Sequence, residues 1–360
     1  MFLDLLFTFF IAFAILFLMR KVARRVGLVD KPSGRKLHSG NIPLVGGISI
    51  CITIVNYIYS HPGMINHANL YMLCICGLTA VGALDDRFDL SVKVRMLVQT
   101  LISVAMIYFA NTEMHSLGNL LGFGAIELGV FGGLVTVLAV IGCINAFNMV
   151  DGIDGLLGGL SIVTFGSVGI LLALSGEQSL SYLCLLFVVC MVPYILMNLG
   201  LVGHKRKVFM GDAGSMMIGF TVIWLLIGAS QAEGNPMIRP VTALWLIAVP
   251  LMDMVSIMIR RVKQGKSPFK PDRDHLHHIC QRLGLSSLQT LGLICFIASM
   301  FAGIGILGEV LLLPEFIMFY GFIILFAMYL LVLINYCTVI NSFRRQLRRN
   351  CSPRRSCLIL

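Results

Sequence analysis

Long apolar runs separated by short polar segments make up most of the chain. A helix needs about 20 mostly apolar residues to cross the hydrocarbon layer of a membrane, where its own hydrogen bonds must satisfy its peptide groups. Eleven runs meet this requirement, near residues 2–19, 42–60, 68–84, 93–110, 127–147, 156–175, 179–199, 213–230, 239–259, 289–308 and 314–337. The pattern predicts an all-α, polytopic integral membrane protein with about eleven transmembrane helices.

The basic residues predict how these helices are oriented. Every one of the 27 lysines and arginines except Arg239 falls in the alternate loops 20–41, 85–95, 200–212, 260–288 and 338–360. Cytoplasmic loops carry the excess of Lys and Arg in membrane proteins. We therefore expect a periplasmic amino terminus, a single polytopic domain over residues 1–337 and a basic cytoplasmic tail over 338–360.

The composition agrees with a membrane protein and narrows the choice of partners. The chain is 58% hydrophobic and 12% charged, with a mean hydropathy of +0.91, which excludes a set of soluble domains. Because the cytoplasmic loops account for the net charge of +10, membrane lipid is the expected partner and nucleic acid is not.

The acidic residues are sorted between the two sides of the membrane. All six glutamates lie in or beside the predicted outer loops, whereas the aspartates other than Asp4 gather toward the cytoplasmic side. Acidic residues have little effect on orientation, so this clustering indicates a chemical function. Carboxylates close to basic residues that could bind phosphate favour a site for a divalent metal.

The first acidic cluster is DDRFD, residues 85–89, at the end of the third predicted span. Asp85 and Asp89 share one helical face at this spacing and repel each other. A cation should offset them, either Mg²⁺ or the neighbouring Lys93 or Arg95. The alternative is a solvated helix end, which is disfavoured because acids at a membrane boundary are costly without a function.

A second polar cluster lies in segment 145–155, between two apolar runs. Amides and acids recur there at three-residue steps, at Asn145, Asn148, Asp151 and Asp154. The segment contains no Lys or Arg, so the positive-inside rule does not explain it. Gly152 and Gly155 would let the backbone approach a ligand closely, which favours a loop that holds phosphate or metal over a plain connection.

Asp212 and a histidine cluster complete the candidate site. Asp212 opens the eighth span, where it could be a simple helix cap, but a metal site needs groups from several helices. The loop 260–288 contains Arg261, Asp272, His275, His277 and His278. No spacing there matches a closed zinc site, so hydrogen bonds to a phosphate or sugar are favoured over zinc binding and over a solvated basic loop.

Together these groups suit metal-assisted phosphoryl transfer at the membrane surface. The motifs DDRFD, NAFNMVDGIDG, VFMGDAGS and DRDHLHH occur in this order and resemble the polyprenyl-phosphate N-acetylhexosamine-1-phosphate transferase superfamily, glycosyl transferase family 4. The resemblance runs from about Val22 to Leu285. It implies transfer of GlcNAc-1-phosphate from UDP-GlcNAc to undecaprenyl phosphate, which releases UMP and forms GlcNAc-diphospho-undecaprenol.

The resemblance also implies a cofactor, a location and a role for each residue. The cofactor would be Mg²⁺, or Mn²⁺, and the site would face the cytoplasm from the bacterial inner membrane, where lipopolysaccharide O-antigen and enterobacterial common antigen synthesis begin. The implied catalytic residues are Asp85, Asp86, Asp89, Asp151 and Asp154, and the implied metal ligands are Asn148 and Asp212. The implied substrate-binding residues are Asp30, Lys93, Asn145, Arg261, Asp272, His275, His277 and His278.

Several alternatives stay open at this point. HLHH differs from the histidine triplet of the branch that uses UDP-MurNAc-pentapeptide, which favours a simple UDP-N-acetylhexosamine donor without fixing the sugar. We favour direct attack by the lipid phosphate, which is already nucleophilic, over an aspartyl-phosphate intermediate. A transporter of polyprenyl-linked sugars would need acids near the span midpoints, where only Asp253 lies. Small residues along the spans would permit a homo-oligomer.

Overall fold

The computed structural model describes residues 2–31, 40–232, 234, 236–267 and 275–335. Within them lie thirteen α-helices: α1 (Phe2–Val26), α2 (Gly46–Ser60), α3 (Ala68–Phe88), α4 (Val92–Ala110), α5 (Gly132–Met149), α6 (Leu156–Leu174), α7 (Gln178–Asn198), α8 (Asp212–Ser230), α9 (Pro240–Leu246), α10 (Ala248–Lys263), α11 (Leu276–Arg282), α12 (Ser287–Val310) and α13 (Glu315–Ile334). Two short antiparallel strands, β1 (Val29–Asp30) and β2 (Ile42–Pro43), form a small sheet. The predicted tail 338–360 lies outside the described residues.

The helices agree with the apolar runs of the sequence. Nine helices in the described ranges are long and apolar enough to cross a membrane by themselves, and the bent pair α9–α10 is a tenth candidate. The remaining run corresponds to α2, which is apolar but only 15 residues long. The prediction of an all-α polytopic membrane protein is confirmed, while the number of crossings and their orientation stay predictions.

Two prolines explain where the runs and the helices differ. Pro43 belongs to β2, and the pairing of β2 with β1 delays the start of α2 to Gly46. Pro250 breaks the ninth run, because it cannot donate to the carbonyl of Leu246 and its ring would collide with that carbonyl in a continuous helix. The chain bends by 82° between α9 and α10, and the hydroxyl of Thr164 donates to the Leu246 carbonyl instead (3.4 Å).

Helix α8 is buried along almost its whole length, because glycines let neighbouring helices approach its backbone. A Cβ on Gly47 of α2 would lie 2.1 Å from Gly214, and a Cβ on Gly82 of α3 would lie 2.4 Å from Ala213. Small residues of this kind permit close packing of membrane helices. The first turn of α8, which begins at Asp212, therefore packs directly against the end of α3.

The sheet brings the segment after α1 to the same end of the bundle. Leu44 follows β2 and pairs with Phe209. The N–H groups of Gly46 and Gly47 donate to the carbonyls of Phe209 (2.9 Å) and Met210 (3.1 Å). As a result β1, with Asp30 at its end, lies beside the segment that leads into α8.

Glutamates at the opposite end of the bundle have structural partners. Nε of Arg239, the one basic residue of the predicted outer loops, donates to Oε1 of Glu309 at 3.2 Å. The N–H of Asn119 donates to Oε2 of Glu315 at 3.0 Å. The first contact joins the start of α9 to α12, and the second joins α13 to the loop after α4. These glutamates therefore stabilise the end of the bundle that lies away from the clustered aspartates.

Candidate active site

The ends of α3 and α5 and the start of α8 surround a cavity of about 1130 Å³. Nine of the sequence-predicted site residues line it: Asp30, Asp85, Asp86, Asp89, Asn148, Asp151, Asp154, Asp212 and His278. The basic side chains that line it are Arg87, Arg95, Lys207 and Arg282. Because acids outnumber bases in the lining, a bound cation would favour the binding of an anionic substrate.

Arg95 joins two of the aspartates. Its Nη1 lies 2.8 Å from Oδ2 of Asp85 and 3.5 Å from Oδ2 of Asp212. Oδ1 of Asp85 also accepts a hydrogen bond from the N–H of Leu90 at 2.7 Å. Asp85 is buried, and its two carboxylate oxygens are fully engaged by α4 and the turn before it. Asp85 and Arg95 therefore form a rigid pair at the wall of the cavity.

Asp86 holds the start of α8. Its Oδ1 accepts a hydrogen bond from the N–H of Asp212 (2.9 Å), and its Oδ2 accepts a longer one from the N–H of Ala213 (3.4 Å). A carboxylate is favoured at a helix N-terminus, where it meets unpaired N–H groups and the positive end of the dipole. Asp86 thus fixes the position from which the Asp212 side chain enters the cavity.

Asn148 and Asp212 lie side by side, as expected for two ligands of one metal ion. Nδ2 of Asn148 donates to Oδ1 of Asp212 (2.6 Å) and to Oγ of Ser215 (2.8 Å). With its nitrogen engaged, Asn148 has its amide oxygen left as a ligand atom. No three acidic, histidine or cysteine side chains of the described ranges converge closely enough to hold an ion alone. This sparse oxygen set fits Mg²⁺, which usually takes one or two carboxylates and completes its shell with water and phosphate oxygens.

The loop after α5 carries two aspartates in different surroundings. Burial by the surrounding protein, together with the charges of Asp212 and Asp154, raises the pKa of Asp151 to about 7 although its side chain reaches the cavity. Asp154 is paired with Nζ of Lys207. The N–H of Gly155 donates to Oδ1 of the buried Asn198 (2.5 Å), which fixes the end of the loop. A divalent cation bound in the cavity would favour the charged form of Asp151.

The histidine cluster reaches the cavity through one of its three members. His278 lines the cavity, whereas His275 and His277 are buried beside it. The ring of His277 covers Gly152, where a Cβ would lie 2.1 Å from Nε2. Burial and the neighbouring His278 and His275 lower the pKa of His277 to about 3, so its ring is neutral at physiological pH. His277 therefore packs against the acidic loop and is not a cation in the site.

Some predicted site residues lie away from the cavity lining. Lys93 is exposed on α4, two residues before Arg95. Nδ2 of Asn145 donates to Oε1 of the buried Gln99 (3.0 Å), about one helical turn deeper than Asn148. Arg261 is buried near the end of α10. Asp272 lies outside the described residues.

Other cavity-lining residues were missed in the sequence, although two of them had a signal. Arg282 follows His278 by four residues, so both lie on one face of α11. Arg87 is part of the DDRFD motif itself. Lys207 lies in the basic loop 200–212, and its partner Asp154 lies 53 residues earlier in the chain. Contacts over that distance leave no local pattern.

The geometry predicts different roles for the two basic residues of α4. Replacing Arg95 with glutamine is expected to lower kcat/KM about 10- to 100-fold, because Asp85 and Asp212 would lose the group that fixes their relative positions. Lys93→Gln is expected to change it little. Steady-state kinetics of the two purified variants would test this, and an equal loss in both would contradict the assignment of Arg95.

Comparisons with known proteins agree with the motifs. Residues 68–230 match the description Glycosyl transferase family 4. Relatives named undecaprenyl-phosphate alpha-N-acetylglucosaminyl 1-phosphate transferase include that of Yersinia pestis, 49% identical over 96% of both chains. Those of Escherichia coli K12 and Haemophilus influenzae are 48% and 47% identical over 96% of this chain and 95% and 98% of theirs. The similarity to these relatives extends over nearly the whole chain, so it includes both the aspartates of the cavity and helix α11.

Proposed function

Because the chain belongs to glycosyl transferase family 4, we propose that it transfers GlcNAc-1-phosphate from UDP-GlcNAc to undecaprenyl phosphate. The products are UMP and GlcNAc-diphospho-undecaprenol. The observation that carries the proposal is the cavity, in which the motif aspartates meet four basic side chains at one end of a membrane bundle. Similarity to three relatives with this named activity over nearly the whole chain supports the same reaction.

The cavity contains the groups that a diphosphate donor needs. Arg95, Arg87 and Arg282 supply positive charge for phosphate oxygens, and Arg95 also keeps Asp85 and Asp212 in place. A Mg²⁺ or Mn²⁺ ion held by Asp212 and Asn148 would stabilise the charge that develops on the diphosphate oxygens. Lys207 neutralises Asp154, which removes one of the two negative charges of this loop from the path of an anionic donor.

We propose that undecaprenyl phosphate attacks the β-phosphate of the donor directly. A phosphate monoester is anionic and nucleophilic near neutral pH, so it needs no covalent enzyme intermediate. Asp85 and Asp86 are poor candidates for a protein nucleophile, because Asp85 is bound by Arg95 and Leu90 and Asp86 by the start of α8. Their role in this proposal is to hold the cavity wall and the metal ligand in position.

The lipid acceptor also suggests where the reaction takes place. The chain is a multi-pass membrane protein, and the cavity lies at the end of the bundle that carries the basic loops. We propose that this end faces the cytoplasm from the bacterial inner membrane. There it would start O-antigen and enterobacterial common antigen synthesis.

Metal dependence should be sensitive to pH around neutrality. Removal of divalent metal with a chelator is expected to abolish transfer, and Mg²⁺ or Mn²⁺ should restore it. Because the pKa of Asp151 is raised to about 7, this carboxyl is protonated at lower pH and adds no negative charge near the ion. The Mg²⁺ concentration for half-maximal activity should therefore fall as pH rises from 6 to 8, and it should fall less in Asp151→Asn. The same pH dependence in the parent and in Asp151→Asn would contradict the role of Asp151.

A donor comparison tests the proposed function. Purified protein would be incubated with undecaprenyl phosphate, Mg²⁺ and either UDP-GlcNAc, UDP-GalNAc or UDP-MurNAc-pentapeptide, and the lipid fraction would be measured. Sugar is expected in lipid with UDP-GlcNAc alone. Transfer from another donor would overturn the choice of sugar and keep the reaction type, and no metal-dependent transfer from any donor would overturn the proposal.

A further inference from the structure

Asp253 is a buried carboxylate that is not part of the cavity lining and is held by three donors. It is 2% exposed and lies in α10. Its Oδ2 lies 2.7 Å from Nδ1 of His275, and its Oδ1 accepts hydrogen bonds from the N–H of Leu276 (3.0 Å) and the hydroxyl of Tyr329 (2.7 Å). Burying a carboxylate lowers the stability of the fold unless its oxygens accept hydrogen bonds. Asp253 therefore fixes the positions of the three groups that donate to it.

Two of the three donors belong to the start of α11. His275 is the residue before this helix and Leu276 is its first residue. A helix of seven residues is not stable by itself, so α11 depends on contacts with its surroundings. An apolar cluster of Ile257 from α10, Ile279 from α11 and Leu333 from α13 supplies part of them. Asp253 supplies the polar part and sets the position at which the helix begins.

Helix α11 is a wall of the cavity. His278, Gln281 and Arg282 from α11 line it. The ring of His277 lies against Gly152, so the same helix also supports the loop that carries Asp151. A displacement at the start of α11 would therefore move both the wall and the acidic loop.

We propose that Asp253 and Tyr329 are positioning residues, which act through His275 to hold α11 and the acidic loop in place. Tyr329 belongs to α13, far beyond residues 68–230 that match the family. It thereby connects the last described helix to the active site. The proposal rests on the proposed function for its effect on catalysis, but its structural part can be measured separately.

Tyr329→Phe removes one hydrogen bond to Asp253 and keeps the shape of the ring. The KM for UDP-GlcNAc is expected to rise about 3- to 10-fold, which is less than the direct loss of a hydrogen bond to a charged group would give, because Asp253 keeps two of its three donors. The value of kcat should change less, because Asp85, Asp86 and Asp212 are held by contacts that do not involve α11. Tyr320→Phe is the matched control, since Tyr320 lies on the same helix with 46% of its surface exposed, and it should leave both constants unchanged.

Cys280 gives a readout that does not depend on activity. It lies in α11, is 5% exposed and has a free thiol. Alkylation of Cys280 in the full-length protein in nanodiscs, followed by peptide mass spectrometry, is expected to be several-fold faster in Tyr329→Phe than in the parent and in Tyr320→Phe. Asp253→Asn should accelerate it further. Cys295 on α12 is the internal reference and should react at the same rate in all variants.

The two readouts separate the two hypotheses. A faster reaction of Cys280 together with a higher KM would support the positioning role. Unchanged Cys280 reactivity and unchanged KM in Tyr329→Phe would overturn it, even if the enzyme transfers GlcNAc-1-phosphate as proposed. Faster alkylation in a protein that shows no transfer with any donor would support the anchoring of α11 and overturn the proposed function.

Discussion

Replacing Asp212 with asparagine is expected to lower kcat at least about 1000-fold, which corresponds to about 4 kcal/mol in the activation free energy. Asp212 lies at the point where Asn148, Arg95 and the start of α8 meet. Asparagine keeps the size of the side chain but removes the negative charge that a divalent ion requires. The loss should therefore come from metal-assisted catalysis and not from misfolding.

Two measurements accompany the kinetics of Asp212→Asn. The Mg²⁺ concentration needed for residual activity should rise, and thermal unfolding without metal should stay close to that of the parent. Asp4→Asn is the control, because Asp4 lies in the first turn of α1 at the opposite end of the bundle. A variant that retained a tenth of the parent kcat would contradict the assignment of Asp212 as a metal ligand.

Gly211→Ala is expected to lower activity about 100-fold, the size of effect that a small misplacement of a catalytic group can cause. Gly211 has φ +74°, a conformation that costs a side chain about 1–3 kcal/mol. A Cβ there would also lie 2.3 Å from Oδ2 of Asp86. The methyl group would push away the carboxylate that holds the first N–H groups of α8, so Asp212 would be displaced.

A second glycine on α8 provides the control for this substitution. Gly228 has ordinary helical geometry, and a Cβ there would meet no atom within 4 Å. Gly228→Ala should therefore preserve activity, whereas Gly211→Ala should lower both activity and thermal stability. Equal activity in the two variants would show that the close contact between Gly211 and Asp86 is not needed for the reaction.

The sequence predicts the helices well because apolar runs of membrane length are a strong signal. The predicted helix boundaries are wrong where strand pairing or a proline interrupts an apolar run. Ile42 and Pro43 are apolar enough to extend a helix, but they pair with β1 instead. Pro250 was counted inside one continuous span, although the missing N–H divides it into two helices.

The site was predictable where its residues belong to recognisable polar motifs. Asp85, Asp151 and Asp212 come from three motifs, and the structure brings them to one cavity. It was harder to predict which of two nearby basic residues reaches the site, because the sequence does not show which face of a helix is turned toward its partners. Lys93 and Arg95 are equivalent as charges, but only Arg95 faces Asp85.

Long-range polar contacts could not be predicted at all. Asp253 was recognised as an acid inside a span, yet its partners His275 and Tyr329 lie 22 and 76 residues away. Asn145 belongs to the same three-residue spacing as Asn148, but its side chain donates a hydrogen bond to Gln99, 46 residues earlier in the chain. Such pairs depend on helix packing, which a single sequence does not encode in any local pattern.

Labelling the β-phosphate of the donor tests whether the cavity transfers a phosphosugar. Purified protein would be mixed with undecaprenyl phosphate, Mg²⁺ and UDP-GlcNAc carrying ³²P in the β-phosphate. We expect the label to enter the lipid fraction together with GlcNAc, an equal amount of UMP to be released and the protein to stay unlabelled. Release of labelled UDP with GlcNAc in an unlabelled lipid would contradict phosphosugar transfer, and ³²P bound covalently to the protein would contradict direct attack.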